Sequence, residues 1–215
     1  MKTLILLSTI IFQLSASASA LLVKDEANKT LTVRSHFYFY GLIDETLSKN
    51  VAQEINDTWN AHHHQIILNK VSYKLLFKIT ASVVDIDEAR DISYLSKPIN
   101  NFVRIIEKAN TSITSSFMVG HTNSGVWLLS GQLGVNKTAA HEYGHSLGLD
   151  HPEGDHYEGI PRIMLTQFYG RDLNLKDREV LKVDIAELKI KSDSNTLGEF
   201  KNTFFFDEDG NVLAY

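Results

Sequence analysis

The chain has no cysteine, few prolines and no excess of basic residues: of 215 residues, three are Pro, 21 are Lys or Arg and 26 are Asp or Glu. Without cysteine, no disulfide bond can stabilise the fold, so a hydrophobic core must do so. The net charge of -5 argues against a nucleic-acid-binding protein, because neutralising phosphates requires Lys and Arg. No glycine-rich phosphate-binding loop is present, since GQLGVNK lacks the GK[ST] ending. The length allows one domain with a substantial core.

The N-terminus has the pattern of a secretory signal peptide. Lys2 precedes the apolar run TLILLSTIIF and the small-residue segment QLSASASA, which together predict cleavage after Ala18 or Ala20. The apolar run is short for a membrane span, although an uncleaved anchor is the alternative interpretation. We therefore expect a signal peptide over residues 1–20 and a secreted protein, periplasmic or extracellular. No stable membrane association is expected after cleavage.

Two segments of the mature chain have clear hydrophobic periodicity. Between residues 44 and 61 apolar residues recur every four positions and Asp44 can cap the first turn, which predicts an amphipathic helix. Between residues 71 and 85 apolar and polar residues alternate, which predicts a half-buried strand. The other predicted elements are strands over 31–41, 101–109, 115–121 and 125–131, a helix over 174–190 and a hairpin turning at Asp209-Gly210. For 101–109 a helix is the alternative. This order of elements predicts an α+β fold.

Three of the nine histidines fall within eleven residues, in the segment AAHEYGHSLGLDH. His141 and His145 are four residues apart on a helix predicted to begin with Thr138 as N-cap, so both imidazoles lie on one face and can share one ion. Gly148 can end the helix in a left-handed conformation and let the chain turn back to bring His151 to the same ion. Imidazole nitrogen binds zinc readily, and three protein ligands leave a fourth position for water.

Glu142 lies beside the first histidine, on the edge of the same helical face. From there it can reach a metal-bound water without being a ligand, which is the position of a general base. Two solvated histidines on a helix and a purely structural zinc site are the alternatives. The structural site lacks a fourth ligand such as cysteine, and it leaves Glu142 unexplained.

The segment HEYGHSLGLDH matches the H-E-x-x-H-x-x-G-x-x-H signature and therefore resembles the metzincin zinc peptidases, closest to matrixins and serralysins of the secreted bacterial type. The resemblance implies one catalytic zinc ion held by His141, His145 and His151, with Glu142 as general base in peptide-bond hydrolysis. It also implies a methionine turn beneath the metal, for which Met164 in PRIMLTQ is the candidate. Ordinary packing of a core methionine is the alternative.

The resemblance also implies a fold. It is a twisted mixed sheet with a backing helix and the active-site helix, followed by a small C-terminal subdomain with the methionine turn and a C-terminal helix. We accordingly expect a catalytic domain over 21–190, divided into an upper subdomain at about 29–148 and a lower subdomain at about 149–190. Residues 191–215 would then form a tail, with the hairpin near its end.

The family aligns an extended peptide substrate along an antiparallel edge strand before the active-site helix. We assign this role to Gly125, Val126, Trp127 and Leu128 in GVWLLS, for which a core strand is the alternative. The cysteine that keeps matrixins latent is absent, although Asp25 or Glu26 could cover the zinc instead of being surface charges. The calcium repeats of serralysins are also absent, so a calcium site, for example in DIDEARD, is possible but unsupported.

The expected function is therefore a secreted, monomeric zinc endopeptidase acting on peptides or proteins. A non-catalytic zinc- or ligand-binding protein or adhesin on the same scaffold is one alternative, and a peptidase toxin is another. The remaining histidines include the run at 62–64, which could bind a second metal but is interpreted as a solvated turn. His121 and His156 have no spacing that indicates a ligand set.

Overall fold

Eight strands form one mixed sheet in a computed structural model that describes residues 17–95, 99–107, 113–153, 160–165, 175–200 and 202–213. The strands are β1 (Ser17–Asp25), β2 (Thr30–Gly41), β3 (Gln65–Leu68), β4 (Val71–Val83), β5 (Asn100–Ile106), β6 (Phe117–Met118), β7 (Ser124–Leu128) and β8 (Thr196–Phe200). The predicted signal peptide lies outside the described residues except for its last four positions, which belong to β1.

The long strand β2 is the centre of the sheet. It runs parallel to β4 on one side and to β5 on the other, and its first residues also pair antiparallel with β1. The strand order is β3-β4-β2-β5-β7-β6, and β8 extends the sheet beyond β1. Parallel and antiparallel neighbours therefore occur in one curled sheet, and with several helices this confirms the α+β class.

Four α-helices accompany the sheet in the described ranges: α1 (Glu45–Asn60), α2 (Ile86–Tyr94), α3 (Thr138–Ser146) and α4 (Lys182–Glu187). The helix predicted over 44–61 is confirmed, with the Asp44 carboxylate accepting a hydrogen bond from the Leu47 amide at 2.7 Å. The segment DIDEARD lies mostly in α2, where Asp85 caps the helix by accepting from the Glu88 amide. None of these helices combines the length and apolar character needed to cross a membrane.

The core lies between α1, α3 and the sheet. The alternation predicted for 71–85 is confirmed in the first part of β4, where Tyr73, Leu75 and the next two alternate residues are buried and the residues between them are more exposed. Trp59, near the end of α1, is almost fully buried and donates its indole N–H to the Ala140 carbonyl at 3.0 Å. This bond joins α1 to α3 and helps to position the helix that carries the histidines.

The predicted edge strand is not at an edge. Residues Gly125 to Leu128 lie in β7, which pairs with β5 on one side and with β6 on the other. The assignment of Gly125, Val126, Trp127 and Leu128 to the edge is therefore wrong. All five β7 residues are buried, which is the pattern of an interior strand. The antiparallel strand at the end of the order is β6.

The helix predicted over 174–190 is much shorter in the structure. A 3-10 turn covers Leu175–Asp177, and α4 begins only at Lys182. Between them, the Glu179 amide donates to the Pro161 carbonyl at 2.8 Å and the Glu179 carbonyl accepts from the Ile163 amide at 2.7 Å. A helix cannot pass through Glu179, because its backbone groups already bond to the 161–163 segment.

The C-terminal residues pack on the sheet instead of forming a free tail. β8 pairs antiparallel with β1, and Phe205 and Phe206 are buried. The predicted hairpin is confirmed, since Phe206 pairs with Val212 and the chain turns through Gly210 at φ +80°. The described residues up to 213 thus belong to the same packed structure as the sheet.

Candidate metal centre

Helix α3 carries the histidines and is largely buried, with seven of its nine residues enclosed. It begins one residue earlier than predicted, because Thr138 is its first residue and the Thr138 amide donates to the Asn136 side chain at 3.0 Å. The Ala140 amide donates to a carboxylate oxygen of Glu54, in α1, at 3.3 Å. A carboxylate from another helix thus satisfies part of the N-terminus of α3, in keeping with the positive end of the helix dipole.

The C-terminus of α3 is a Schellman motif. Gly148 has φ +91°, the Gly148 amide donates to the His145 carbonyl at 2.9 Å, and the Leu149 amide donates to the Gly144 carbonyl at 3.0 Å. The predicted role of Gly148 is confirmed. The turn reverses the chain so that His151 returns to the face that carries the other two histidines.

The three predicted histidines meet at one point. The His145 and His151 Nε2 atoms are 3.0 Å apart, and the His151 and His141 Nε2 atoms are 3.3 Å apart. His141 is buried, His145 is half-buried and His151 is exposed, so the group is reached from one side. This group could hold a metal ion, and it is the one such group among the described residues.

Two main-chain carbonyls determine how the histidine rings are protonated. His141 Nδ1 donates to the Ile163 carbonyl at 2.7 Å, and His145 Nδ1 donates to the Leu149 carbonyl at 2.8 Å. A carbonyl only accepts, so Nδ1 carries the proton in both rings and the Nε2 lone pairs point to the common centre. Burial lowers the pKa of His145 to about 4 and lowers the pKa of His141 and His151, so the rings are neutral at pH 7.

Glu142 lies in the same cavity and is 5% exposed. Burial raises the pKa of its carboxyl group to about 8, against a hydrogen bond from the Met118 main chain and the positive charge of Arg178, which both lower it. Its Oε2 atom has no hydrogen-bond partner in the described part of the chain. A buried carboxyl group with an unpartnered oxygen thus shares a cavity with three converging imidazole nitrogens, a position from which it could transfer a proton.

The cavity around these groups has a volume of about 570 Å³. Its walls come from α3, from the segment that contains β6, from the loop before β7 and from the segment before α4. The residues that matter most for its chemistry are His121, His141, Glu142, His145, Asp150, His151 and Arg178. Asp25 and Glu26 do not line it: Asp25 accepts from Asn28, and Glu26 accepts from Tyr73.

Met164 lies directly beneath the histidine-bearing helix and is fully buried. A turn brings it there, closed by the Leu165 amide donating to the Arg162 carbonyl at 3.1 Å. A side-chain carbon added at Gly144 would overlap the Met164 sulfur. The same turn supplies the Ile163 carbonyl that orients His141, a role that sequence reasoning missed.

Arg178 is the second contribution that the sequence did not indicate. It is 4% exposed and lines the cavity, although the sequence predicts an amphipathic helix for its segment. The Lys137 ammonium donates to its carbonyl. Its neighbours are held as well, by His62 bonded to Glu179 at 2.7 Å and by His64 donating to the Val180 carbonyl at 2.9 Å. His64 is buried and attached to this segment, so the solvated-turn interpretation is wrong for it.

His121 also reaches the cavity, where its Nε2 lies 2.8 Å from an Asp150 carboxylate oxygen. His156 lies outside the described residues.

No protein-family model matches the chain, and a search of curated proteins found no significant match. The function must therefore be inferred from the chemistry of this cavity.

Proposed function

We propose that the chain is a zinc-dependent endopeptidase of the metzincin type. The observation that carries the proposal is the convergence of three histidine Nε2 atoms next to the buried carboxylate of Glu142 in one cavity. Metal ligands and an acid–base group arranged in this way are the two parts that metal-assisted hydrolysis needs.

The donor set fits zinc. Tetrahedral coordination with Zn–N distances near 2.0–2.1 Å places two ligand nitrogens about 3.3 Å apart. The two measured Nε2–Nε2 distances are 3.0 and 3.3 Å. Three neutral imidazoles suit zinc better than calcium or magnesium, which prefer oxygen ligands. We propose one zinc ion per chain.

Each protein group then has a definite task. A zinc ion bound by His141, His145 and His151 would supply Lewis acidity to a water molecule and to the scissile carbonyl. The positive charge of such an ion would favour the ionised form of Glu142, which then accepts the proton from the attacking water and delivers it to the leaving amine. The Ile163 and Leu149 carbonyls hold two of the imidazoles in the tautomer that leaves Nε2 free to bind metal.

Two further features support the family assignment. Gly148 ends the histidine helix with the turn that the signature requires, and Met164 lies in a turn under that helix. The substrate would bind as an extended peptide against β6, because β6 is last in the strand order and its residues line the cavity. We propose that the protein acts on peptides or proteins after secretion, as a monomer that binds neither nucleic acid nor membrane.

The decisive experiment combines metal content with hydrolysis. The secreted form of the chain is purified, its zinc is counted by elemental analysis, and cleavage of casein is followed with and without a chelator. We expect about one zinc per chain, chelator-sensitive cleavage, and loss of cleavage with retained zinc in Glu142→Ala. Glu208→Ala, at an exposed position in the C-terminal turn, is the matched control.

Two results would overturn the proposal. Absence of zinc in the purified wild-type protein would show that the histidines do not form a zinc site. Cleavage by Glu142→Ala at the wild-type rate would show that Glu142 is not the general base. Zinc without cleavage of casein, of other unfolded proteins or of a peptide library would favour a non-catalytic binding protein.

A further inference from the structure

Arg178 is a buried cation that the proposed hydrolysis does not use. Its side chain lines the same cavity as the three histidines and Glu142, and it is 4% exposed. Burial lowers the pKa of its guanidinium to about 10, which leaves the group charged at neutral pH. Placing a charge in a buried position is costly unless an opposite charge or hydrogen-bond acceptors compensate it.

Arg178 lacks that compensation in the described part of the chain. Its Nε atom is buried without an acceptor, and Glu142 is the only carboxylate whose charge acts on it noticeably. No hydrogen bond or ion pair joins the Arg178 guanidinium to Glu142 in the described part of the chain, and the Glu142 Oε2 atom also lacks a partner there. Arg178 therefore lines the cavity while at least one of its guanidinium donors, Nε, has no acceptor among the described residues.

A second arginine, Arg162, shows how this protein compensates the charge of an arginine that links two segments. Arg162 is bonded to the Asp184 carboxylate at 2.8 Å and to the Glu187 carboxylate at 2.6 Å. These two carboxylates compensate the Arg162 charge and join the methionine turn to α4. Arg178 has no equivalent pair among the described residues, so its burial serves a purpose other than linking segments.

The main chain at Arg178 is held in place, and burial restricts its side chain. Lys137 bonds to its carbonyl, and the backbone of the next residue, Glu179, pairs with the 161–163 segment. A donor held in place before the ligand arrives loses little entropy on binding. The planar guanidinium also matches a carboxylate with two parallel hydrogen bonds.

We propose that Arg178 binds a carboxylate of the substrate, so that the enzyme cleaves peptide bonds close to an acidic group. This inference rests on the proposed peptidase function and names the substrate class for the same cavity. The carboxylate belongs either to an Asp or Glu side chain or to the C-terminus of the substrate, and both present the same group to a guanidinium. With a net charge of -5 on the chain, the preference comes from the cavity and not from general attraction to the surface.

Matched peptides test the proposal. A set of fluorogenic decapeptides places a single Glu at one position around the cut site, with a different position in each peptide. A matching set has Gln, the neutral isostere, in place of Glu. Each peptide is made with a free and with an amidated C-terminus. We expect kcat/KM to favour the Glu peptide by at least 10-fold at one position if a side chain is bound. If kcat/KM instead favours the free over the amidated C-terminus by at least 10-fold, the bound group is the terminal carboxylate. A wild-type enzyme that shows neither preference overturns the proposal.

Variants then assign the preference to Arg178. In Arg178→Gln the Glu-to-Gln ratio, or the free-to-amidated ratio, falls to about 1, and in Arg178→Lys it is intermediate because a charge remains without the fork geometry. A variant that loses activity on all peptides equally and keeps the wild-type ratio would show that Arg178 acts on catalysis and not on recognition. Thermal melting and zinc content identify a variant that fails to fold. In that case the Glu-to-Gln and free-to-amidated ratios of the wild-type enzyme decide whether the proposal stands.

Binding separates this inference from the peptidase proposal. Fluorescence anisotropy measures the affinity of zinc-loaded Glu142→Ala for the same Glu, Gln, free and amidated peptides, without any cleavage. Tighter binding of the carboxylate-bearing member, abolished when Arg178→Gln is added, supports the subsite even if the wild-type protein hydrolyses nothing. Equal binding of all members overturns it even if the protein is a peptidase.

Discussion

His141 Nδ1 donates a hydrogen bond of 2.7 Å to the Ile163 carbonyl, which joins helix α3 to the turn that contains Met164. The bond leaves His141 Nε2 free to face the two other histidines. It also makes the position of that nitrogen dependent on the turn below the helix. Hydrogen bonds that orient a metal-binding imidazole change metal affinity by about 10- to 100-fold when they are lost.

The histidine group should dominate metal binding. We expect His145→Ala to reduce zinc from about one per chain to none, and to lose the stabilisation that zinc gives the wild-type protein. That stabilisation is about 3–4 kcal/mol when free zinc exceeds the dissociation constant by 100- to 1,000-fold. Elemental analysis and urea unfolding with and without zinc measure the two effects. His63→Asn, at an exposed histidine outside the cavity, should keep both.

Gly144 and Met164 should be coupled. A methyl group at Gly144 overlaps the Met164 sulfur, so we expect Gly144→Ala to lower the free energy of unfolding by about 1–3 kcal/mol. Met164→Ala removes a buried side chain and should cost about 2–5 kcal/mol. Because it also removes the obstacle, the double variant should lose less than the sum of the two single variants.

Urea unfolding of the two single variants and the double variant measures this coupling. Gly131→Ala is the matched control, since its new methyl group would meet its nearest atoms at 3.8 Å and should change stability little. Strictly additive losses in the cycle would mean that the methionine does not pack against the helix at Gly144.

The histidine constellation could be predicted from the sequence because it depends on short-range rules. Four-residue spacing on a helix and a glycine that ends it place His141, His145 and His151 together within eleven residues. The helix after Asp44 and the alternating strand over 71–85 were predictable for the same reason. In each case the hydrophobic period within one element decides which residues are buried.

The features that the sequence did not predict correctly depend on pairing between residues that are far apart in the chain. The amphipathic pattern over 174–190 favours a helix, but backbone bonds from Glu179 to the 161–163 segment interrupt it. That interruption turns Arg178 from a surface residue of a helix into a cavity residue. A strand over 115–121 was predicted, but the edge position was given to 125–128 because the order of strands depends on pairing that the sequence pattern does not reveal. In the structure, the two residues of β6 pair outside β7.

The carboxylate at the N-terminus of α3 is another long-range feature, and it should make stability depend on pH. Burial raises the pKa of Glu54 to about 7 from its ordinary value of 4.5, although amide hydrogen bonds from Ala140, Lys137 and Gly134 and the Lys137 charge lower it. The folded chain then holds this proton more tightly than the unfolded chain does. Between pH 4.5 and 7 the contribution of Glu54 to stability therefore falls as pH rises.

Glu54→Gln should remove this dependence, because the amide oxygen can still accept from the Ala140 amide and carries no charge. Relative to the parent, we expect the variant to gain up to about 3 kcal/mol of unfolding free energy between pH 4.5 and pH 7.5. Urea unfolding of both proteins in a Glu142→Ala background, which prevents self-cleavage, measures the difference at each pH. The same difference at both pH values would show that Glu54 is ionised in the folded protein throughout, as an ordinary surface carboxylate is.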